Sequence, residues 1–393
     1  MAPPPPLLRM WTTKAVKSGI DIFRVFDSLN YGANMKLGIE AAAAAGGFVE
    51  AAICYTGDVT KRENNKYPLS YYVDYAKELV DMGAHALAIK DMAGLLTPQA
   101  ATLLVGSLRE QFPDVPIHVH SKPLTQNITH YHERTPFQIE LNQQPSSDSL
   151  PPDSPTEMQI LKILNDRNAA HDTPGTGVAS MLAAAAAGAD VVDGAIDAMS
   201  GLTSQPSLGA IVGASGDSTS LNLSALQYLN RYWEDVRALY LPFESGQLSG
   251  SSDVFSHEIP GGQYTNLLFQ SKQLGLTGRF AEIKAAYAAA NKLLGDIPKV
   301  TPSSKVVGDL AQFMVAQRLS PQDVVEQATL LPLPNSVVEY FQGYLGPPPG
   351  GFPEPLRSRV LEGRSLPDGR PCFDGRPGAE LEPCASVGLF RQD

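Results

Sequence analysis

From Ser70 to His120 the sequence reads SYYVDYAKELVDMGAHALAIKDMAGLLTPQAATLLVGSLREQFPDVPIHVH, and this stretch decides the fold. Ser70–Met82 is amphipathic at the helical period, opens on a hydroxyl residue and is closed by Gly83. Ala86–Lys90 is a short apolar run of strand length, Thr97–Phe112 is again amphipathic before Pro113, and Pro116–His120 is a second apolar run. Moving outward, Asp21–Phe26, Phe48–Cys54 and Ala189–Val192 repeat the strand pattern. Strand and helix alternating in this way predict a parallel sheet. Reactive side chains fall at the strand ends: Asp27, Tyr55, Lys90 and His120. Both a (β/α)8 barrel and a doubly wound sheet place ligands there, and the short regular units favour the barrel.

The whole chain has 393 residues, 30 Lys and Arg against 41 Asp and Glu, and a net charge of −11. An acidic chain of this kind argues against phosphate-backbone binding, so no nucleic acid is expected as a partner. The longest apolar runs, such as Ala41–Gly47 and Met181–Gly188, fall well short of the ~20 residues of a membrane span. Three cysteines (Cys54, Cys372, Cys384) cannot staple the fold, which points to a reducing compartment.

Composition divides the chain further. Residues 1–17 form an atypical segment: a four-proline run that should not enter a helix, then Arg9, Lys14 and Lys17 with no acid before Asp21. Either a targeting segment or a truncated helix has that pattern. Residues 18–223 carry the barrel pattern, interrupted by a polar, Pro/Ser-rich insertion over 121–170. Residues 224–345 read as helical, with Phe280–Leu294 and Gly308–Arg318 clearest. Residues 346–393 are a Pro/Gly-rich tail expected to lose order beyond about Glu362.

Lys90 ends an apolar strand and precedes Asp91–Met92–Ala93–Gly94. A desolvated lysine amine can form a Schiff base, act as a base, or add carbon dioxide to become an anionic carbamate; the plain alternative is an ion pair with an acid such as Asp91. His118 and His120 share one face of their strand, as half of a Zn²⁺, Mn²⁺ or Co²⁺ site or as a structural pair. His171 follows the insertion and reads as a turn residue. Thr301 precedes Pro302 at the start of a helix, which is the pattern of an N-cap. Ser200–Gly201 carry no stronger signal.

Longer motifs add a resemblance. Phe23–Arg24–Val25–Phe26–Asp27–Ser28–Leu29–Asn30, Tyr55–Thr56–Gly57–Asp58, Ile89–Lys90–Asp91–Met92–Ala93–Gly94–Leu95–Leu96 and Ile259–Pro260–Gly261–Gly262–Gln263–Tyr264–Thr265–Asn266 together resemble the carboxyltransferase domain of biotin-dependent carboxylases. Met199–Ser207, Lys299–Lys305 and Gly350–Pro355 resemble the pyruvate carboxylase branch of that family.

The resemblance implies an incomplete TIM (β/α)8 barrel, with strands 1 and 2 missing, followed by an α-helical region. It implies transfer of a carboxyl group from carboxybiotin to pyruvate to give oxaloacetate, a step of gluconeogenesis and anaplerosis. It also implies a divalent metal (Mn, Zn or Co) held by carbamylated Lys90, His120 and His171, with Thr301 as the proton-shuttling, substrate-binding hydroxyl. Biotin would arrive on a carrier domain that this sequence does not contain, the intact family forms homo-oligomers, and the compartment is the mitochondrial matrix or the cytoplasm.

Departures accompany the matches. His171 lies 51 positions after His120, where the family has a separation of two. The metal-binding aspartate of the first strand and the pyruvate-binding arginine have no counterpart; Leu7–Leu8–Arg9 runs directly into Met10–Trp11. Neither an ATP-grasp domain nor a biotinyl Met-Lys-Met segment is present, so the chain by itself is expected to make no oxaloacetate from pyruvate, bicarbonate and ATP. The rivals are an oxaloacetate decarboxylase α or transcarboxylase subunit, and a catalytically inert fragment arising from the gene model.

Overall fold

The structure is a computed structural model that describes residues 5–61, 66–120, 172–216 and 221–362. The expected insertion 121–170, His171 and the tail from 363 onward lie outside the described residues.

Five strands form one parallel sheet in chain order: β1 (Ile22–Phe26), β2 (Phe48–Tyr55), β3 (Ala86–Asp91), β4 (Ile117–His120) and β5 (Val191–Val192). Each lies on an expected apolar run. Parallel neighbours need crossovers, and helices supply them: α2 (Gly32–Ala44), α3 (Leu69–Asp81) and α4 (Pro98–Gln111) join the first four strands. A helix α1 (Pro5–Lys17) precedes the sheet, and α5 (Gly177–Ala186) and α6 (Leu208–Ser215) flank β5.

Register divides the sheet into two faces with opposite chemistry. Val25, Ala51, Leu87 and Ile117 align across the strands, as do Ile53, Ile89 and Val119. These residues pack against α2 to α5 in one buried apolar cluster with Leu79, Leu104 and Leu108. The alternate residues face the other way. Arg24 aligns with Glu50, Phe26 with Ala52, Ala88 and His118, and Cys54 with Lys90 and His120. The polar side chains are therefore stacked in layers on the sheet face turned away from the helices, because side-chain direction alternates along each strand.

The remaining helices are α7 (Leu223–Tyr240), α8 (Val254–His257), α9 (Gly261–Gln273), α10 (Phe280–Leu293), α11 (Ser303–Gln317), α12 (Pro321–Gln327), α13 (Asn335–Phe341) and α14 (Leu356–Leu361). Their core contains Tyr287, Val307, Leu310, Tyr340 and Phe341, and Leu29 from the turn after β1 is buried within it. Truncating a side chain such as Leu310 in this core costs about 2–5 kcal/mol. Leu29 joins the helical part to the sheet, and Val300 does the same from the other side by packing on Cys54 and Met92.

Several local expectations change. Pro5 and Pro6 do enter a helix, as the first turn of α1, where the missing N–H groups would have had no partner. Leu7–Trp11 belong to that helix and not to a strand. The N-cap of α3 is Pro68, so the Ser70 hydroxyl does not open it, whereas the Thr97 side chain does cap α4 by accepting from the Ala100 amide. Helix α11 spans Ser303–Gln317, so it takes in most of the Gly308–Arg318 stretch and begins one residue after the expected Pro302.

Candidate active site

Lys90 closes β3 on the polar face of the sheet and is buried, with its Nζ 5.0 Å from the centre of the Phe26 ring. Asp91, the plain alternative partner, follows Lys90 in the strand, and successive strand residues point to opposite faces. The Asp91 carboxylate instead accepts from the Gly94, Leu95 and Leu96 amides and shapes the turn after β3. That turn and the start of the helical part enclose a small pocket of about 50 Å³, lined by Lys90, Met92, Pro260, Gln263, Asn266 and Thr301 among others.

Thr301 reaches the pocket because it is not a cap. Pro302 occupies the N-cap position of α11 and no side chain caps the helix there. The turn is closed by Ser303, whose hydroxyl accepts from the Val300 amide at 3.1 Å and donates to the Pro298 carbonyl at 2.7 Å. The Thr301 side chain is left exposed at the pocket wall. Gln263 and Asn266 lie three apart on α9, so they share its pocket-facing side. Gly308 on α11 leaves the room Gln263 needs: a Cβ there would sit 2.5 Å from Gln263 Nε2.

A second cluster lies beside β4. His118 contacts Glu50 through Nδ1 and Asp193 Oδ1 through Nε2 at 2.9 Å; His120 Nδ1 meets Asp193 Oδ2 at 2.5 Å. The Arg24 guanidinium pairs with Glu50 and lies 2.7 Å from the His120 ring nitrogens and 3.0 Å from His118 Nδ1. Candidate metal-binding atoms of His118, His120 and Asp193 all fall within 4.8 Å of one another.

Charge separates the two imidazoles. Burial opposes a charge on His118, but Asp193 and then Glu50 overcome it and raise its pKa to about 9, so both ring nitrogens carry protons. Burial, aided by the Arg24 charge, pushes His120 well below its ordinary value. The neutral ring then donates from Nδ1 to Asp193 and accepts from Arg24 at Nε2, as the hydrogen-bond pattern assigns. Glu50 is lowered to about 2: burial opposes its ionisation, and His118 and Arg24 outweigh it. Asp193 is held below the usual carboxylate range, His118 again outweighing burial.

A metal needs an unprotonated nitrogen. His120 offers one; His118, held as imidazolium between two carboxylates, does not. His120 is also the register neighbour of Lys90 across β3 and β4. An ion bound at His120 Nε2 would replace Arg24 there and leave the Arg24–Glu50 pair in place.

The structure thus brings Lys90 and Thr301 to one pocket and sets His120 next to Lys90, while His171 lies outside the described residues. The other strand-end candidates are structural. Asp27 accepts from the Leu29 and Tyr31 amides and from Asn34, Tyr55 is fully buried, and the Ser200 hydroxyl closes a turn onto the Asp197 carbonyl. Sequence reasoning gave no role to Arg24, Glu50, Asp193, Gln263 or Asn266. A charged residue inside an otherwise apolar strand, as in Phe23–Arg24–Val25 and Val49–Glu50–Ala51, was the signal available for the first two.

Residues 254–387 match the conserved carboxylase domain family. Pyruvate carboxylase 1 of Caenorhabditis elegans is 50% identical over 374 residues, covering 94% of this chain and 27% of that protein. The mitochondrial pyruvate carboxylase of Homo sapiens is 49% identical over 383 residues, covering 96% of the chain and 28% of the relative. The solved carboxyl transferase domain of Rhizobium etli pyruvate carboxylase with pyruvate and biocytin matches with a TM-score of 0.77 and 42% identity, over 92% of this chain and 53% of that one. The chain is similar to the carboxyltransferase region of pyruvate carboxylases. It spans roughly a quarter of the length of the pyruvate carboxylases it matches. Among the described residues, no helix is long and apolar enough to cross a membrane.

Proposed function

We propose that the Lys90–Thr301 pocket carries out the carboxyl-transfer step of a pyruvate carboxylase, moving the carboxyl group carried by biotin to pyruvate to give oxaloacetate. The observation that carries this reading is the meeting of Lys90, at the end of β3, with Thr301, just before α11, on one small polar pocket. Pyruvate and a biotin derivative in the solved Rhizobium etli domain support the substrate class.

The five-stranded sheet is read as the greater part of a (β/α)8 barrel, whose ligand side is the C-terminal end of the strands where Lys90 lies. Thr301 carries a proton from the keto-acid methyl group to the ureido nitrogen of biotin as the nitrogen–carboxyl bond breaks. The methyl carbon then forms its bond to the carboxyl carbon. Gln263 and Asn266 orient the keto acid by hydrogen bonds. Met92 and Pro260 keep bulk water from the reacting carbon, which strengthens each of those contacts.

Carbamylated Lys90, His120 and His171 are the residues that would hold a divalent metal, with His120 fitted to the task by its neutral ring. Such an ion, when bound, would supply Lewis-acid stabilisation of negative charge developing on the substrate. A biotinyl carrier domain is the partner, the assembly a homo-oligomer, and the compartment the mitochondrial matrix or the cytoplasm; the mammalian relatives are mitochondrial by name.

Oxamate, an unreactive isostere of pyruvate enolate, tests the pocket. Its NMR signals should broaden with the chain and sharpen again for Lys90→Met. Equal broadening by both proteins would show that oxamate binds elsewhere.

A further inference from the structure

One buried ammonium ties the chain segments that carry two parts of the pocket wall, 260–266 and 300–304, to the end of β2. Lys299 is 2% exposed. Its Nζ donates to Thr56 Oγ1 at 3.0 Å and to Glu258 Oε2 at 2.5 Å. Thr56 is the residue after β2, and it is itself fixed: its amide donates to the Tyr72 hydroxyl at 3.0 Å and its carbonyl accepts from that hydroxyl at 2.6 Å. Glu258 sits in the left-handed region at φ 51°, where α8 ends and the chain turns into Ile259–Pro260 and then α9. Lys299 itself stands two residues before Thr301. Its side chain therefore ties the end of β2, the turn that launches Gln263 and Asn266, and the turn that carries Thr301.

A buried lysine is costly unless it is paired, and a hydrophobic residue of similar volume often serves stability as well or better. What the ion pair adds is fixed direction. Neither Lys299 nor Glu258 lines the pocket, so neither touches the reacting groups. We infer that Lys299 is a positioning residue: through Glu258 and Thr56 it sets the distance between the Thr301 hydroxyl and the Gln263–Asn266 face of α9. The catalytic consequence rests on the carboxyl-transfer reading above; the mechanical consequence does not.

Hydrogen exchange on the full chain tests the mechanical part. Lys299→Met should raise amide exchange about tenfold or more in 56–60, 258–266 and 300–304 together, because the segments lose a common anchor. Lys299→Arg, which keeps the charge and can reach Glu258, should restore much of the protection. Faster exchange confined to 297–304 would overturn the inference. If Lys299→Met does not fold, Glu258→Gln and Thr56→Val each remove one arm, and unchanged exchange at 300–304 in both would overturn it equally.

The catalytic part is read from biotin-dependent decarboxylation of oxaloacetate. Lys299→Met should lower kcat roughly 10–100-fold with KM within about twofold, and the arginine variant should recover most of it. A rise in KM alone would overturn positioning. An inactive unaltered chain would overturn the carboxyl-transfer reading, and the exchange pattern would still decide for or against the anchor.

Discussion

Two polar regions lie on the same face of the sheet, a strand or two apart, and they are built on opposite plans. Beside β4, Arg24 and protonated His118 face ionised Glu50 and Asp193, two positive charges against two negative ones, with neutral His120 between. At the strand ends, Lys90 shares a pocket with the uncharged polar side chains of Gln263, Asn266 and Thr301. The first region satisfies itself and gains rigidity. The second presents hydrogen-bonding groups toward a small pocket. A histidine pair on one strand face is therefore divided by its neighbours: His118 belongs to the closed network, and His120 stands at the border between the two.

Breaking the closed network should have the largest effect. Asp193→Asn removes a buried carboxylate that holds both imidazoles and should cost about 3–5 kcal/mol, read as the shift of a urea midpoint. A loss under about 1 kcal/mol would mean that the network is not as closed as described.

Acidity should reveal the same network from both sides. Folded His118 keeps its proton up to about 9, whereas an unfolded imidazole releases it near 6.5. Its contribution is thus whole below 6.5 and lost as the pH rises through about 9. Glu50 runs the other way: its contribution is whole above 4.5 and falls away as the pH drops through about 2. Stability measured from pH 6 to 10 should fall by roughly 3 kcal/mol more in the unaltered chain than in His118→Gln. Parallel curves would contradict the assignment of the charge to His118.

Metal content sharpens the border. In the folded fraction, His120→Asn should abolish binding of added Mn²⁺ or Zn²⁺ while His118→Asn retains it, as elemental analysis after dialysis would report. The reverse outcome would place the ligand on His118.

The smallest effect is expected on the open side. Gly308→Ala puts a methyl group against the Gln263 amide, the movable end of a flexible side chain. Thermal stability should change by less than about 1 kcal/mol. Oxamate binding should weaken severalfold, and unaltered binding would remove Gln263 from the substrate contacts.

The strands were legible because β1 to β4 are apolar on both faces or nearly so, interrupted at Arg24, Glu50, Lys90 and the two histidines. The alternation also showed that His118 and His120 face one way. What one strand cannot show is its neighbour. Glu50 lies 68 positions before His118, and Asp193 lies 75 after it, so their convergence depends on strand order and register. Thr301 was misread locally for a different reason. Thr-Pro before a helix is a sound capping pattern, yet the helix starts one residue later and Ser303 closes the turn. A rule of local capping gave way to the packing of Val300 onto Cys54 and Met92, which turns Thr301 toward the pocket.

Running the reaction backwards tests the proposed carboxyl-transfer role of Lys90 and Thr301. Oxaloacetate and free biotin are supplied, and pyruvate release is followed with and without biotin. Biotin-stimulated decarboxylation should appear and should fall roughly 10²–10⁴-fold in Thr301→Ala, a substitution at an exposed side chain that should leave the unfolding free energy within about 0.5 kcal/mol of the unaltered chain. Decarboxylation indifferent to biotin, or undiminished in Thr301→Ala, would contradict that role.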